Sequence, residues 1–365
     1  MPAQKLCRWG ILGAANIARK NWDAIRHAEN ATLLAVASRS KAKAEEYIRE
    51  CQLVAPHEQT PAACTYEELL ARKDIDAVYI PLPTAIRKQW VIKAANAGKH
   101  VLCEKPCAPT VADLEEMLAA CRKNKVQFMD GVMFMHGDRL RLMRGAIDDK
   151  IGQIKRITSQ FSFLAQPEFM TTNIRASSDL EPLGALGDLG WYDIRFTLWA
   201  MNYQLPTHVT GRILTAGKRP DASGDVPLEF SGEMWFPGGA TAAFYCSFLT
   251  QIQQWANISG TTACLQVNDF VVPSYGCEVA FEVIVSNLDR SGCDYNMPRR
   301  SRRIASPEYS NNHPTSQETG MFRNFSNIVL SGRLEPEWEK FALATQKVVN
   351  ACLESARNDG RRISL

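Results

Sequence analysis

The 365-residue chain contains no run of about 18 apolar residues, so it offers no membrane-spanning helix. Its start, MPAQKLCRWGILG, lacks a signal-peptide layout, because the apolar residues lead straight into a glycine turn. The net charge of +3 is too small to favour nucleic acid or an acidic membrane as partner. Eleven cysteines are scattered without a single CxxC pair, which speaks against a disulfide framework and fits reduced thiols in a cytoplasmic enzyme. Cys103 and Cys107 stand close together, but no second cluster accompanies them and no metal site is expected. What remains, 45% hydrophobic and 22% charged, is an ordinary globular composition, and the length favours two domains.

A further absence is local. Residues 6–12 read as a strand that runs into Gly13-Ala14-Ala15-Asn16-Ile17-Ala18 and a helix. This is a dinucleotide turn of the G-x-G-x-x-G/A kind with alanine at its second and third positions. The glycine permits the tight turn, and the small residue at 15 lets backbone approach a pyrophosphate on the helix N-terminus. The next apolar run, Thr32–Ala37, ends without the acid that would bond a ribose 2′-hydroxyl. Ser38 and Arg39 stand there, followed by Lys41 and Lys43. A hydroxyl and a guanidinium suit a 2′-phosphate, so the expected cofactor is NADP(H) rather than NAD.

Strand and helix alternate onward: helices at 41–51, 66–72, 87–97 and 111–123, strands at 75–81, 101–103 and 127–132. That rhythm predicts a doubly wound parallel α/β sheet, a Rossmann domain over 1–133. Pro81-Leu82-Pro83 ends the third strand at the same carboxyl edge as Gly13. The fourth closes in His100-Val-Leu-Cys-Glu-Lys-Pro106, placing Lys105 on the rim of the crevice. On this peptide alone, the favoured reading of Lys105 is a surface lysine at a strand end, which its neighbours in the chain reverse.

From Ile154 the period changes to two, at 154–163, 208–214, 228–236, 240–248, 256–259 and 263–267. This predicts a second α+β domain, 134–365, with a large, mostly antiparallel open sheet. Phe230, Trp235, Phe236, Phe244, Tyr245 and Phe248 suggest strands apolar on both faces, hence a homodimer or tetramer through that sheet. Residues 275–320, including the run Arg299–Arg303, lack period and read as solvated loop. The last helix, about 336–356, is expected to pack back on the first domain. In Leu183–Met201, glycines at 184, 187 and 190 are costly in a helix start and point to close approach of a ligand or another backbone. Asp188 and Tyr192, four apart, share a helical face; as a pair they read as structural or as catalytic.

Taken together, Gly13-x-Ala-x-x-Ala, Ser38-Arg39, Pro81-Leu82-Pro83-Thr84, Glu104-Lys105-Pro106 and Gly187-Asp188-Leu189-Gly190-Trp191-Tyr192 resemble, in order and spacing, the glucose–fructose oxidoreductase/inositol dehydrogenase (Gfo/Idh/MocA) family. The resemblance implies Lys105 as catalytic lysine, a cis peptide before Pro106, Asp188 as substrate-orienting carboxylate and Tyr192 where relatives carry histidine or tyrosine. Arg175 falls where relatives have an arginine near the cofactor. Arg87 replaces a common histidine, and is either a cofactor contact or a surface exchange. The cofactor set expected is Gly13, Ala15, Asn16, Ile17, Ser38, Arg39, Lys43, Pro81, Leu82, Thr84, Arg87, Glu104, Lys105 and Arg175, with no metal. The expected activity is NADP(H)-dependent hydride transfer at a carbinol or carbonyl carbon of a sugar, polyol or dihydrodiol. Tyr192 then serves as acid/base beside cationic Lys105, or Lys105 carries the proton itself. A glycosidase of the same fold and a non-catalytic NADPH-binding regulator are the alternatives.

Overall fold

A computed structural model describes residues 5–309 and 313–365. The first third forms β1 (Cys7–Leu12), α1 (Asn16–His27), β2 (Ala31–Ala37), α2 (Lys41–Val54), β3 (Ala62–Cys64), α3 (Tyr66–Ala71), β4 (Ala77–Ile80), α4 (Thr84–Asn96), β5 (His100–Cys103), α5 (Val111–Lys123) and β6 (Phe128–Asp130). The strands make one parallel sheet in the order β3-β2-β1-β4-β5-β6. The order reverses between β1 and β4, the switch point where such sheets bind ligands. Strand β3 has only three residues and no period to read.

The chain continues through α6 (Asp138–Ala146), β7 (Ile154–Leu164), α7 (Phe169–Thr172), a π-helical turn Leu186–Gly190 and α8 (Trp191–Ala200). Then come β8 (His208–Gly217), β9 (Val226–Trp235), β10 (Thr241–Ser247), β11 (Leu249–Gly260), β12 (Cys264–Val267), β13 (Glu278–Ser286), β14 (Asp289–Ser291), β15 (Asp294–Asn296) and β16 (Arg299–Pro307). All ten residues of α8 are buried, as expected of a helix apolar nearly all round. Two sequence expectations change. Glu278–Ser286 and Arg299–Pro307, read as part of a solvated loop, are strands β13 and β16, which pair antiparallel over nine residues, and the Arg299–Arg303 run lies in β16. The sheet is not apolar on both faces. Phe230 and Phe244 are buried, whereas Trp235 and Tyr245 alternate onto a half-buried face among Glu229, Glu233 and Gln160. The expectation of a mostly antiparallel sheet holds with one exception, β10, which runs parallel to β7.

Last come α9 (Gln317–Ser331), α10 (Glu337–Arg357) and β17 (Ile363–Ser364), which completes a nine-stranded sheet ordered β16-β13-β12-β11-β7-β10-β9-β8-β17. Helix α9 begins at Ser316, whose hydroxyl accepts from Thr319 N, and stops at left-handed Gly332. Both are readable helix signals that the polar composition hid. It supplies Phe322 and Phe325 to the core of the parallel sheet, against Trp9 at 4.9 and 5.1 Å between ring centres. Trp9 Nε1 donates to Ser326 at 3.0 Å. The chain divides into two compact units, and the division departs from 1–133 and 134–365. The first unit takes the chain up to His136 together with Asp179–Pro182 and Tyr309–Gln346; the second takes Gly137–Ser178, Leu183–Glu308 and Lys347–Leu365. Helix α10 therefore belongs with the first unit only as far as Gln346.

Two glycines of the second unit serve close packing. Gly184, at φ +49°, lies where a Cβ would fall 2.3 Å from the Pro227 carbonyl oxygen, so its freedom serves backbone approach rather than a ligand. A Cβ on Gly211 of β8 would fall 2.2 Å from the Cys352 carbonyl, a backbone atom that cannot swing aside. Gly211→Ala is expected to cost about 1–3 kcal/mol through overpacking, read from the urea midpoint at unchanged slope. Asp193 in α8 is fully buried, and neither its carboxylate oxygens nor the Ser159 hydroxyl opposite forms a hydrogen bond. Burial holds its carboxyl well above the ordinary range, outweighing the influence of Ser159. The folded state thus keeps a proton that the unfolded chain releases above about pH 4, so this group makes stability fall as pH rises. Asp193→Asn removes that slope: relative to wild type the variant gains stability between pH 4 and 8, and a pH-independent difference in urea midpoint would refute the assignment.

Candidate active site

The first corner is built by Gly13, at φ +140°, between β1 and α1. A Cβ there would lie 3.0 Å from Leu82 Cδ2, so the β1 and β4 loops abut at the switch point. Ala15 is the N-cap of α1 and gives no side-chain cap, and the first turn holds no acid. Asn16 and Ile17 are exposed. Uncapped N–H groups at the positive end of a twelve-residue helix, behind a turn with no side chain, fit a pyrophosphate.

At the end of β2, Ser38 is buried with its amide on Cys64 O, and Arg39 is exposed. Arg39 stands near enough to Tyr66 to oppose the upward push that burial gives that phenol. Tyr66 meets Trp90 edge-on at 4.7 Å. No acid lies between Ser38 and Ala44, which fits a phosphorylated ribose. Lys43 contributes its backbone amide to the Ser40 cap of α2 at 3.3 Å, and its side chain is exposed.

The β4 and β5 loops hold corrections. Thr84, expected at the cofactor, is fully buried at the start of α4. Its amide and hydroxyl donate to Glu181 Oε1 and Oε2 at 3.0 and 2.5 Å. Arg87 is neither a cofactor contact nor a surface exchange. It is 2% exposed, with Nε and Nη2 on the Leu82 carbonyl at 3.0 and 2.5 Å and Nη1 on the carbonyls of Glu104, at 2.7 Å, and Pro106. Glu104 is likewise buried: Oε1 accepts from Tyr79 Oη at 2.5 Å and Oε2 from the Lys105 amide at 3.1 Å. Burial first, and the Glu104 charge second, push the Tyr79 phenol far up, which keeps it a neutral donor. Lys105 is half-buried, and its bond to Pro106 is cis. Tyr79 and Glu181 escaped the sequence reading. Tyr79 sits in an unbroken apolar strand, and Glu181 lies 97 residues from the helix it caps.

In the second unit, Asp188 lies in the π-helical turn and Tyr192 in the first turn of α8. Their spacing of four is therefore not a plain α-helical turn; π-turns are frequent at functional sites. Asp188 Oδ2 accepts from Arg175 Nε at 2.7 Å, so Arg175, expected at the cofactor, also pairs with the carboxylate. Asn173 Oδ1 accepts from the Arg175 amide and sets that short turn. Tyr192 is 5% exposed and meets Phe161 edge-on at 5.6 Å. The structure thus joins Arg175 to Asp188, and Glu104, Arg87 and the Lys105 backbone to one another.

The model of the oxidoreductase family with an NAD-binding Rossmann fold (GFO_IDH_MocA) matches residues 7–132. That of the GFO/IDH/MocA C-terminal domain matches 140–266. The chain is 35% identical over 196 residues to a dTDP-3,4-didehydro-2,6-dideoxy-alpha-D-glucose 3-reductase of Saccharopolyspora spinosa, covering 53% of this chain and 55% of that one. Its matches to two like-named Streptomyces enzymes also span under two thirds of their length. It is 30% identical over 260 residues to an NADP(+) D-xylose 1-dehydrogenase of Haloferax volcanii, 71% of this chain and 75% of the other. A crystal structure of an Actinomadura kijaniata 3-ketoreductase with NADP and TDP-benzene superposes with a TM-score of 0.79 at 25% identity, over 96% of this chain and 98% of that one. With two domain models in sequence and a parallel sheet followed by a mostly antiparallel one, the chain belongs to the Gfo/Idh/MocA oxidoreductase family.

Proposed function

We propose that the protein is a cytoplasmic NADP(H)-dependent oxidoreductase acting on a carbinol or carbonyl carbon of a sugar, polyol or dihydrodiol. The carrying observation is Lys105 at the carboxyl edge of a parallel sheet whose β1–α1 corner fits a pyrophosphate. Ser38 and Arg39 in place of an acid support the 2′-phosphate, and the xylose dehydrogenase and ketoreductase relatives are NADP proteins by name or by content. Eleven free cysteines, eight of them buried, suit a reducing compartment. The half-buried sheet face bearing Trp235, Tyr245 and Trp255 is the surface assigned to a second copy, in a homodimer or tetramer.

The nicotinamide, when bound, supplies or accepts the hydride. The chain's own work is to handle the accompanying proton and charge. Tyr192 Oη moves the proton on the substrate oxygen, and a nearby cation is what lets a phenol, ordinarily near pKa 10, do this at neutral pH. Lys105 supplies that positive charge and stabilises the developing alkoxide. Asp188, aimed by Arg175, orients a substrate hydroxyl.

A spectrophotometric panel of aldoses, inositols, ketosugars and diols with NADP⁺ and NADPH is expected to give turnover at 340 nm. Lys105→Ala and Tyr192→Phe should each lower kcat by about 10²–10⁴-fold while NADPH binding persists. Rates near wild type in both variants would remove the assignment. Replacing Ser38 and Arg39 with alanine and glutamine is expected to raise the NADP(H) Kd by about 10–100-fold, since charge-assisted bonds contribute about 1.5–3 kcal/mol each, and to leave the NAD(H) Kd unchanged. An unchanged NADP(H) Kd would point to NAD.

A further inference from the structure

We infer that Arg87 is the positioning residue of the Lys105 turn: one buried guanidinium grips the carbonyls before and after the lysine and ties them to the β4 loop. The inference rests on the reading of Lys105 as catalytic. The geometry is specific. Nη1 alone donates to Glu104 O and Pro106 O, the carbonyls on either side of Lys105. Nε and Nη2 both donate to Leu82 O, in the loop that abuts Gly13. The Lys105 amide itself donates to Glu104 Oε2, and the other carboxylate oxygen, Oε1, accepts from Tyr79 Oη. The Glu104 carbonyl, the Lys105 amide and the Pro106 carbonyl are thereby all held.

Strand ends of a parallel sheet leave carbonyls without ladder partners, and a buried carbonyl needs a donor. A planar fork with five N–H donors can serve three carbonyls from one side chain, whereas a lysine ammonium is a point donor and a histidine has two nitrogens. Arg87 springs from the first turn of α4, whose N-terminus Glu181 caps through Thr84, so its own root is fixed. Nothing in this arrangement leaves a guanidinium nitrogen to meet a cofactor: Nε, Nη1 and Nη2 are all engaged, and the side chain is 2% exposed.

The test compares full-length wild type, Arg87→Lys, Arg87→Met, Lys105→Met and the Arg87→Met/Lys105→Met double variant. Three measurements are made: amide exchange by mass spectrometry, the NADPH Kd by fluorescence, and turnover of D-xylose with NADP⁺. Exchange in the peptide spanning 101–110 is expected to quicken by about tenfold or more in both Arg87 variants while the β1–α1 peptide stays as in wild type. The NADPH Kd should move less than about threefold and kcat should fall by about 10²-fold with little change in KM, the split of a group acting on the transition state alone. The double variant should be no slower than Lys105→Met, because a residue acting through the lysine adds nothing once the lysine is gone. Unchanged exchange at 101–110, a weakened NADPH Kd with intact kcat, or a double variant slower than Lys105→Met would each overturn the inference. Should Arg87→Met fail to fold, Arg87→Lys keeps the charge and decides by the same readouts. Should Lys105→Met keep its turnover, the catalytic reading of Lys105 fails, while the exchange measurement still decides whether Arg87 holds the turn.

Discussion

The loops at the carboxyl edge of the parallel sheet depend on burying one permanent cation. Arg87 is removed from water and compensated by three carbonyls drawn from two loops. Burying a charge without partners costs several kcal/mol, so the loops cannot drift from the guanidinium without exposing that cost. Glu104 poses the mirror problem and has its own solution, a neutral tyrosine on one oxygen and a backbone amide on the other. Between these two buried charges the backbone of Lys105 has little room to move, and the residue as a whole is half-buried. A fixed backbone is what electrostatic catalysis requires at such a position, since preorganised charge needs no rearrangement during reaction.

The second unit applies a similar rule through packing. Along one row of its sheet, Ala256, Ser159, Phe244, Gly232 and Gly211 stand side by side on the buried face. The two glycines leave space that the Phe244 ring and the Cys352 carbonyl fill. Against this sheet lies α8, buried on every side, which fixes the root of Tyr192. The π-helical turn before it carries Asp188, and Gly190 lets that turn approach Cys246 and Phe244. The glycines that look extravagant in the sequence therefore serve sheet contact.

Membership of the Gfo/Idh/MocA family places the chain among oxidoreductases whose named members act on quite different molecules, from deoxysugar nucleotides to xylose and dihydrobenzenediols. Fold alone therefore does not choose the substrate; that is decided by which side chains face it.

The sequence by itself determined the parallel sheet, the glycine corner, the missing acid after β2 and the lysine at the end of β5, because each is written in residues adjacent along the chain. Periodicity and turn chemistry are local, and so is a strand-end proline. Several features came only with tertiary structure. The Arg299–Arg303 strand had no period of its own, since both faces of its tip are exposed and nothing selects alternation. Helix α9 was masked by polar residues, although Ser316 and Gly332 marked its ends. Thr84 was read as a cofactor residue and is buried on Glu181, 97 residues away, and the pairing of Arg175 with Asp188 across 13 residues was not read at all. Arg87 had two readings and took neither, because a side chain's burial depends on which carbonyls lack partners, and that is known only when separate loops have been brought to one point in space.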